Sequence, residues 1–156
     1  MTAPTRSRLF WPWLEVVLWL AIIALESTDL LSAQHTSGIL YSIATALFGH
    51  IDPQRFAVFH AVVRKVGHFV GYGVLSVLFF RALRGTVAAT VVRLCALSVA
   101  FTFMVAGLDE WHQTSLASRT GTLYDLALDT FGALCMQAAV LLTRKPEPRI
   151  YTDVHG

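Results

Sequence analysis

Four long apolar runs, each interrupted by few charges, alternate with short polar connections along the chain. They extend from Trp13 to Leu31, Val66 to Leu83, Val91 to Leu108 and Leu126 to Thr143. A helix needs roughly 20 mostly apolar residues to cross a bilayer core about 30 Å thick, so each run is near spanning length. The pattern predicts an all-α integral membrane bundle of four transmembrane helices, folded as a single domain over residues 1–156. Between the first two runs, Ile39, Leu40, Ile43 and Leu47 recur on one helical face, with Tyr41, Ser42 and Thr45 on another. This segment is too short to span, and a short interfacial amphipathic helix is expected.

Local signals sharpen the boundaries. Asp52 followed by Pro53 is a helix start, the carboxylate accepting from unpaired N–H groups while proline takes the first helical position. Phe56, Phe59 and Val63 follow at helical spacing, so this helix is expected to run straight into the second span. Gly67 with Gly71, and Gly132 with Ala133, offer small surfaces where helices can approach closely. Trp11, Trp13 and Trp19 are expected to anchor the first span at the headgroup level. That span carries Glu15 and Glu26, and Leu31 occupies the outer small-residue position before Ala33, so it reads as a retained signal anchor. Beyond Thr143 the charges, two prolines and lack of periodicity predict a disordered cytoplasmic tail over 144–156.

Composition agrees with the pattern: 55% of residues are hydrophobic and 14% charged, with a mean hydropathy of +0.59. That is too apolar for an ordinary soluble domain, and the partner it implies is the lipid bilayer, with no nucleic acid. The formal charge of +2 matters less than its distribution. Arg6, Arg8, Arg81, Arg84, Arg93, Arg144, Lys145 and Arg149 fall on one side of the predicted spans, and Arg55, Arg64, Lys65 and Arg119 on the other. The positive-inside bias then puts both termini of a multi-pass inner-membrane protein in the cytoplasm, with the acidic motifs extracytoplasmic. Cys95 and Cys135 lie within spans, where small buried hydrophobes are expected and a disulfide is not.

The candidate chemistry collects at the ends of the spans. Lys65, His68 and Tyr72 stand at i, i+3 and i+7, along one helical face. Asp109, Glu110 and Gln113 close the third run, and Asp125 and Asp129, at i and i+4, open the fourth. A carboxylate placed inside an apolar boundary, as Asp129 is, must be protonated, paired or hydrated. Arg119, Lys65, Arg64 and His68 are the candidate partners, and Glu26 and Asp29 can contribute from the first span.

Three of these segments, RKVGHFVGY, DEWHQ and RTGTLYDLALDTFG, stand in the order found in the VanZ-like family, which this chain resembles from about Leu25 to Leu142; LESTDLLSAQHT adds to the likeness. The resemblance implies that Lys65, His68, Tyr72, Asp109, Glu110, Gln113, Arg119, Asp125 and Asp129 are the family's polar positions. It also implies an association with glycopeptide (teicoplanin) resistance. The chain departs from the pattern at Asp129, where asparagine is frequent, at Met136, where a further glycine is usual, and around Ala117, where a proline before the arginine is missing.

The leading expectation is an outward-facing polar cavity that binds a cell-envelope component, lipid-linked or glycopeptide-related, through those nine residues, with Glu26 and Arg64 as additional contributors. An enzymatic alternative is a metal-dependent hydrolase or transferase acting on a lipid-linked substrate. No cofactor is predicted for the leading reading. For the alternative, His68, Asp109, Glu110, Asp125 and Asp129 are the donors available to a divalent metal. A third reading treats the same residues as an interhelical network that only fixes packing. Small-residue faces also leave room for a homo-oligomer. A complete ion pathway is not expected, because the inner halves of the second and fourth spans offer only Ser76, Cys135 and Gln137.

Overall fold

A computed structural model describes residues 6–28, 33–114 and 122–143. Among them are five helices and no strand: α1 (Arg6–Glu26), α2 (Ala33–Phe48), α3 (Pro53–Thr86), α4 (Val91–Thr114) and α5 (Leu123–Leu142). Helices α1, α3, α4 and α5 are long and apolar enough to cross a membrane. The all-α membrane bundle with a shorter helix between the first two spans is therefore the observed architecture. Asp29, Arg119 and the tail expected over 144–156 lie outside the described residues.

The ends of the helices depart from the hydropathy runs wherever polar chemistry overrides apolar length. Helix α1 stops at Glu26, short of Leu31, because Glu26, Ser27 and Thr28 are polar and Thr28 N–H closes the last turn on the Leu25 carbonyl. In α3, Asp52 caps the first turn by accepting from Gln54 N–H at 2.9 Å, with Pro53 at the start as expected. The chain reaches that start through Gly49, whose φ of +82° suits a residue without a Cβ. With 34 residues, α3 is about 51 Å long and outreaches a hydrocarbon core of roughly 30 Å. Its first turns form a projection against which α2 leans. There Tyr41 meets Phe56 edge to face at 5.2 Å and donates to the Ile51 carbonyl.

Helix α3 is the axis of the bundle, in contact with all four other helices and most extensively with α5. One end of the bundle gathers the start of α1, the end of α3, the start of α4 and the end of α5. Phe80, Leu83, Leu94 and Cys95 pack there against Val140, and Arg81 pairs with Glu15 at 2.9 Å. A second apolar cluster, Val16, Ile23, Tyr72, Leu75, Phe79, Ala82 and Ala106, ties α1 and α4 to α3. Below the polar end, Gln137 Nε2 donates to both the carbonyl and the hydroxyl of Ser76 at 2.9 Å, while Gln137 Oε1 is buried without a hydrogen-bond partner.

The glycines separate into two kinds. A Cβ on Gly132 would run into the backbone carbonyl of Phe69, and one on Gly73 would come within 2.9 Å of Met136 Cγ, so α3 and α5 touch backbone to backbone at this crossing. Gly67 and Gly71 face open space instead, and their spacing does not mark a helix–helix contact. The role expected for Gly132 holds, and that expected for the Gly67/Gly71 pair is corrected. Trp19 is a second correction: its indole N–H donates to the Gly71 carbonyl at 2.9 Å, so it faces α3 rather than anchoring at the headgroups. Trp11 is exposed, as an anchor would be. Cys95 is buried as expected, Cys135 is exposed, and both are free thiols. Phe103, Met104, Leu108, Trp111, Phe131 and Leu134 are exposed on α4 and α5, an apolar surface suited to lipid rather than water.

Candidate functional site

The face of α3 that carries Lys65, His68 and Tyr72 directs each side chain to a different partner. Lys65 Nζ lies 3.6 Å from Asp125 Oδ1 and 4.2 Å from the centre of the Tyr124 ring, at the rim where both charges remain partly exposed. One turn deeper, His68 Nδ1 stands 3.4 Å from Asp129 Oδ1, and its ring stacks on Tyr72. Deeper again, the Tyr72 hydroxyl donates to Asp109 Oδ2 at 2.8 Å.

Asp109 is the hub of the network. Besides Tyr72, it accepts from Gln113 Nε2 at 2.9 Å, one turn along α4, and from the hydroxyl of Ser27 at the end of α1. Three donors from three helices therefore meet one carboxylate, whose oxygens can only accept when ionised. Glu110 faces another way: Oε2 accepts from Thr122 N–H at 2.8 Å, while Oε1 is buried without a hydrogen-bond partner. Thr122 caps α5 by accepting from Asp125 N–H and donates its hydroxyl to Asp125 Oδ2 at 2.7 Å. This is the N-terminus of α5, where helix dipole and unpaired N–H groups favour carboxylates.

Asp129 is the extreme case, fully buried at 0% exposure with neither carboxylate oxygen in a hydrogen bond. His68 Nδ1 lies within ion-pair range yet outside hydrogen-bonding geometry. A buried acceptor left unpaired costs about 1–3 kcal/mol, and more when it is charged. His68, Asp129, Glu110 and Asp109 thus all lie at one end of the bundle, where α3 to α5 meet and α1 ends.

Open space lies on both sides of α3: a concavity of about 240 Å³ is bounded by Val62, Lys65, Val66, Phe69, Tyr124 and Leu128, and another lies between α1, α2 and α3. A cavity of about 290 Å³ is bounded by Glu26, Thr36, Leu40, His60, Val63, Arg64, Gly67 and His68. A smaller concavity, roughly the size of one water at about 20 Å³, adjoins it through Glu26, Gly67 and His68 and reaches Ser27, Tyr72 and Asp109. His68, Tyr72 and Asp109 therefore border open space together with Glu26 and Arg64. Lys65, Glu110, Gln113, Asp125 and Asp129 do not border these two cavities; Lys65 with Asp125 and His68 with Asp129 pair α3 with α5, Glu110 reaches the cap of α5, and Gln113 bonds Asp109 within α4. Arg119 lies outside the described residues.

Ser27, Thr36, His60 and Thr122 were not singled out by the sequence reading. Thr122 had a visible signal, a threonine three residues before an acidic one at a helix start. His60, buried and stacked on Phe56, had none, because only the return of α2 against α3 encloses it. The five donors considered for a divalent metal do not converge: among the described residues no group of three or more His, Cys, Asp or Glu is placed to hold one.

Comparison with known proteins agrees with the arrangement of motifs along the helices. The VanZ/LLP1 family model matches residues 10–144, which include α3, α4 and α5 in full and all but the first turn of α1. No curated protein and no solved structure matches the chain. The match covers most of the sequence and every motif placed above, and the chain belongs to the VanZ/LLP1 family.

Proposed function

We propose that this protein binds a lipid-linked component of the cell envelope in the cavity between α1, α2 and α3, at the extracytoplasmic face of the inner membrane. The observation that carries the reading is the cavity itself: ionisable side chains Glu26, His60, Arg64 and His68 face it beside apolar Leu40 and Val63. Such a mixture suits an amphipathic ligand, whose polar part is held by a few directed groups while apolar surface supplies the affinity. The network on the other side of α3 fixes its position. Tyr72 and Asp109 connect the two.

Size bears on the link to resistance. Pockets for drug-sized ligands measure roughly 300–1,000 Å³, so a space of about 290 Å³ encloses a headgroup and not a glycopeptide antibiotic. Any influence on teicoplanin susceptibility would then run through the envelope component that is bound. The metal-dependent hydrolase or transferase is less well supported, because catalysis of that kind wants ligands that converge on one ion.

Gly67→Leu tests the reading without touching an ionisable group. Its side chain grows into open space and fills the cavity. Lipid extracts of wild type and variant, purified in the same detergent and compared by mass spectrometry with the parent membrane, should show a species enriched with wild type and absent from the variant. Equal retention by both proteins would refute the proposal. The sidedness has its own check: a membrane-impermeant thiol reagent applied to intact cells should label Ser37→Cys, and no labelling would place the cavity on the cytoplasmic side.

A further inference from the structure

Most polar groups on the described walls between α1, α2 and α3 are already engaged. Ser27 and Tyr72 both donate to Asp109, which also accepts from Gln113, and Glu26 and Arg64 have partners of their own. His68 differs because the two nitrogens of its ring meet different surroundings. Nδ1 is buried 3.4 Å from Asp129 Oδ1, while the side chain stays 24% exposed and borders both spaces on the α1 and α2 side. Nε2, on the ring edge away from Asp129, is the nitrogen turned toward those spaces.

Asp129 decides what that nitrogen can do. Its carboxylate is 0% exposed with neither oxygen in a hydrogen bond, and among the described residues His68 is its ion-pair partner. A bare carboxylate beside a neutral ring would leave a buried charge uncompensated, which is strongly penalised, so the pair keeps one further proton. That proton sits either on Asp129, with Nδ1 facing it as an acceptor, or on Nδ1, making an imidazolium. In both forms Nε2 carries a hydrogen, because the state of one ring nitrogen is set by what the other meets. We infer, building on the function just stated, that Asp129 is a positioning residue that keeps His68 Nε2–H as a fixed donor on the cavity wall, and that the bound component is a lipid whose phosphate oxygen accepts from it. The positive end of the pair faces the cavity and the carboxylate lies behind the ring, which favours an anionic acceptor over a neutral hydroxyl or carbonyl. The lipid chains lie along Leu40 and Val63, and the contact requires nothing of Glu26 or Arg64.

Nitrogen-15 NMR of the histidine-labelled full-length protein in detergent micelles reads the hydrogen directly, the His68 signals being those lost in the double variant His68→Leu with Asp129→Leu. At neutral pH they should report a hydrogen on Nε2, and Asp129→Asn, whose amide can donate or accept, should shift the ring to mixed tautomers. A wild-type ring with its hydrogen on Nδ1 alone overturns the inference whether or not any variant folds, and a spectrum unmoved by Asp129→Asn removes the positioning role. Native mass spectrometry with phosphatidylglycerol and with diacylglycerol of the same chains reads the ligand. A hydrogen bond between charged groups is worth about tenfold or more, so wild type should prefer phosphatidylglycerol by that factor. The double variant, in which no charge is stranded, should bind the two about equally, and a phosphate preference that survives in it overturns the contact. Inorganic phosphate should not displace the lipid at equal concentration, since it lacks chains; displacement would refute the membrane source. If the preference is absent or survives but Gly67→Leu still abolishes lipid binding, the envelope-binding cavity outlives the loss of this inference. If Gly67→Leu binds both lipids as wild type does, both fall.

Discussion

The two sides of α3 put glycine to opposite uses. Toward α5, Gly73 and Gly132 remove side chains so that two backbones meet, and Asp129, Gln137 and Ser76 at that seam are packed away from solvent. Toward α1 and α2, a Cβ at Gly67 or Gly71 would meet nothing within 4 Å, and only the Trp19 indole reaches across, to the Gly71 carbonyl, among the described contacts. A membrane protein held together by van der Waals contact has no general reason to leave such space beside ionisable residues. The difference teaches that spacing alone does not give a small residue its role. What stands opposite it does.

The contrast is broken most severely at Gly132. Gly132→Ala places a methyl group against the carbonyl of Phe69, and because backbone cannot swing aside as a side chain can, the cost should go well beyond the roughly 1–3 kcal/mol typical of side-chain overpacking. Thermal unfolding in detergent micelles should show a lower midpoint or no folded bundle at all, and an unchanged midpoint would mean that the helices are not in contact there.

His68→Leu comes close behind. It leaves Asp129 enclosed without its ion-pair partner among the described residues, and removing one partner of a buried pair costs about 3–5 kcal/mol. The double variant His68→Leu with Asp129→Leu should recover much of that loss, because no charge is then stranded. Additive losses in the same unfolding assay would show that the two residues act independently.

Gly67→Leu should have the smallest effect on stability and of the opposite sign. Replacing an interior helical glycine gains up to about 1 kcal/mol of helix propensity, and no neighbour obstructs the new side chain. Unfolding midpoints should therefore hold or rise while ligand retention is lost. A marked drop in midpoint would put Gly67 in the same class as Gly132.

How far the sequence foretells this arrangement depends on how local each signal is. Asp52 and Pro53 are a local signal, and α3 begins where they say. The periodicity of Lys65, His68 and Tyr72 correctly gives a shared face, but not that this face is divided among Asp125, Asp129 and Asp109 on two other helices. The carboxylates themselves were legible from their depth in apolar runs. Which of them border open space was not, because the cavity is made by the return of α2 across α3, and hydropathy carries no information about that angle. Glu26 and Arg64 border the larger cavity, while Lys65 and Asp125 pair α3 with α5 and Gln113 bonds Asp109 within α4. For the same reason GxxxG spacing could not distinguish Gly67 from Gly132, since the deciding atoms belong to other helices.

Density in a structure determined in a lipid bilayer disc made from the parent membrane's lipids tests the central claim most directly. The expected result is a non-protein feature between α1, α2 and α3, with its head beside His60 and His68 and its tails along Leu40 and Val63, and its loss in Gly67→Leu. A wild-type map in which that space is filled by the protein's own side chains, or in which ordered lipid sits only against α4 and α5, would contradict it.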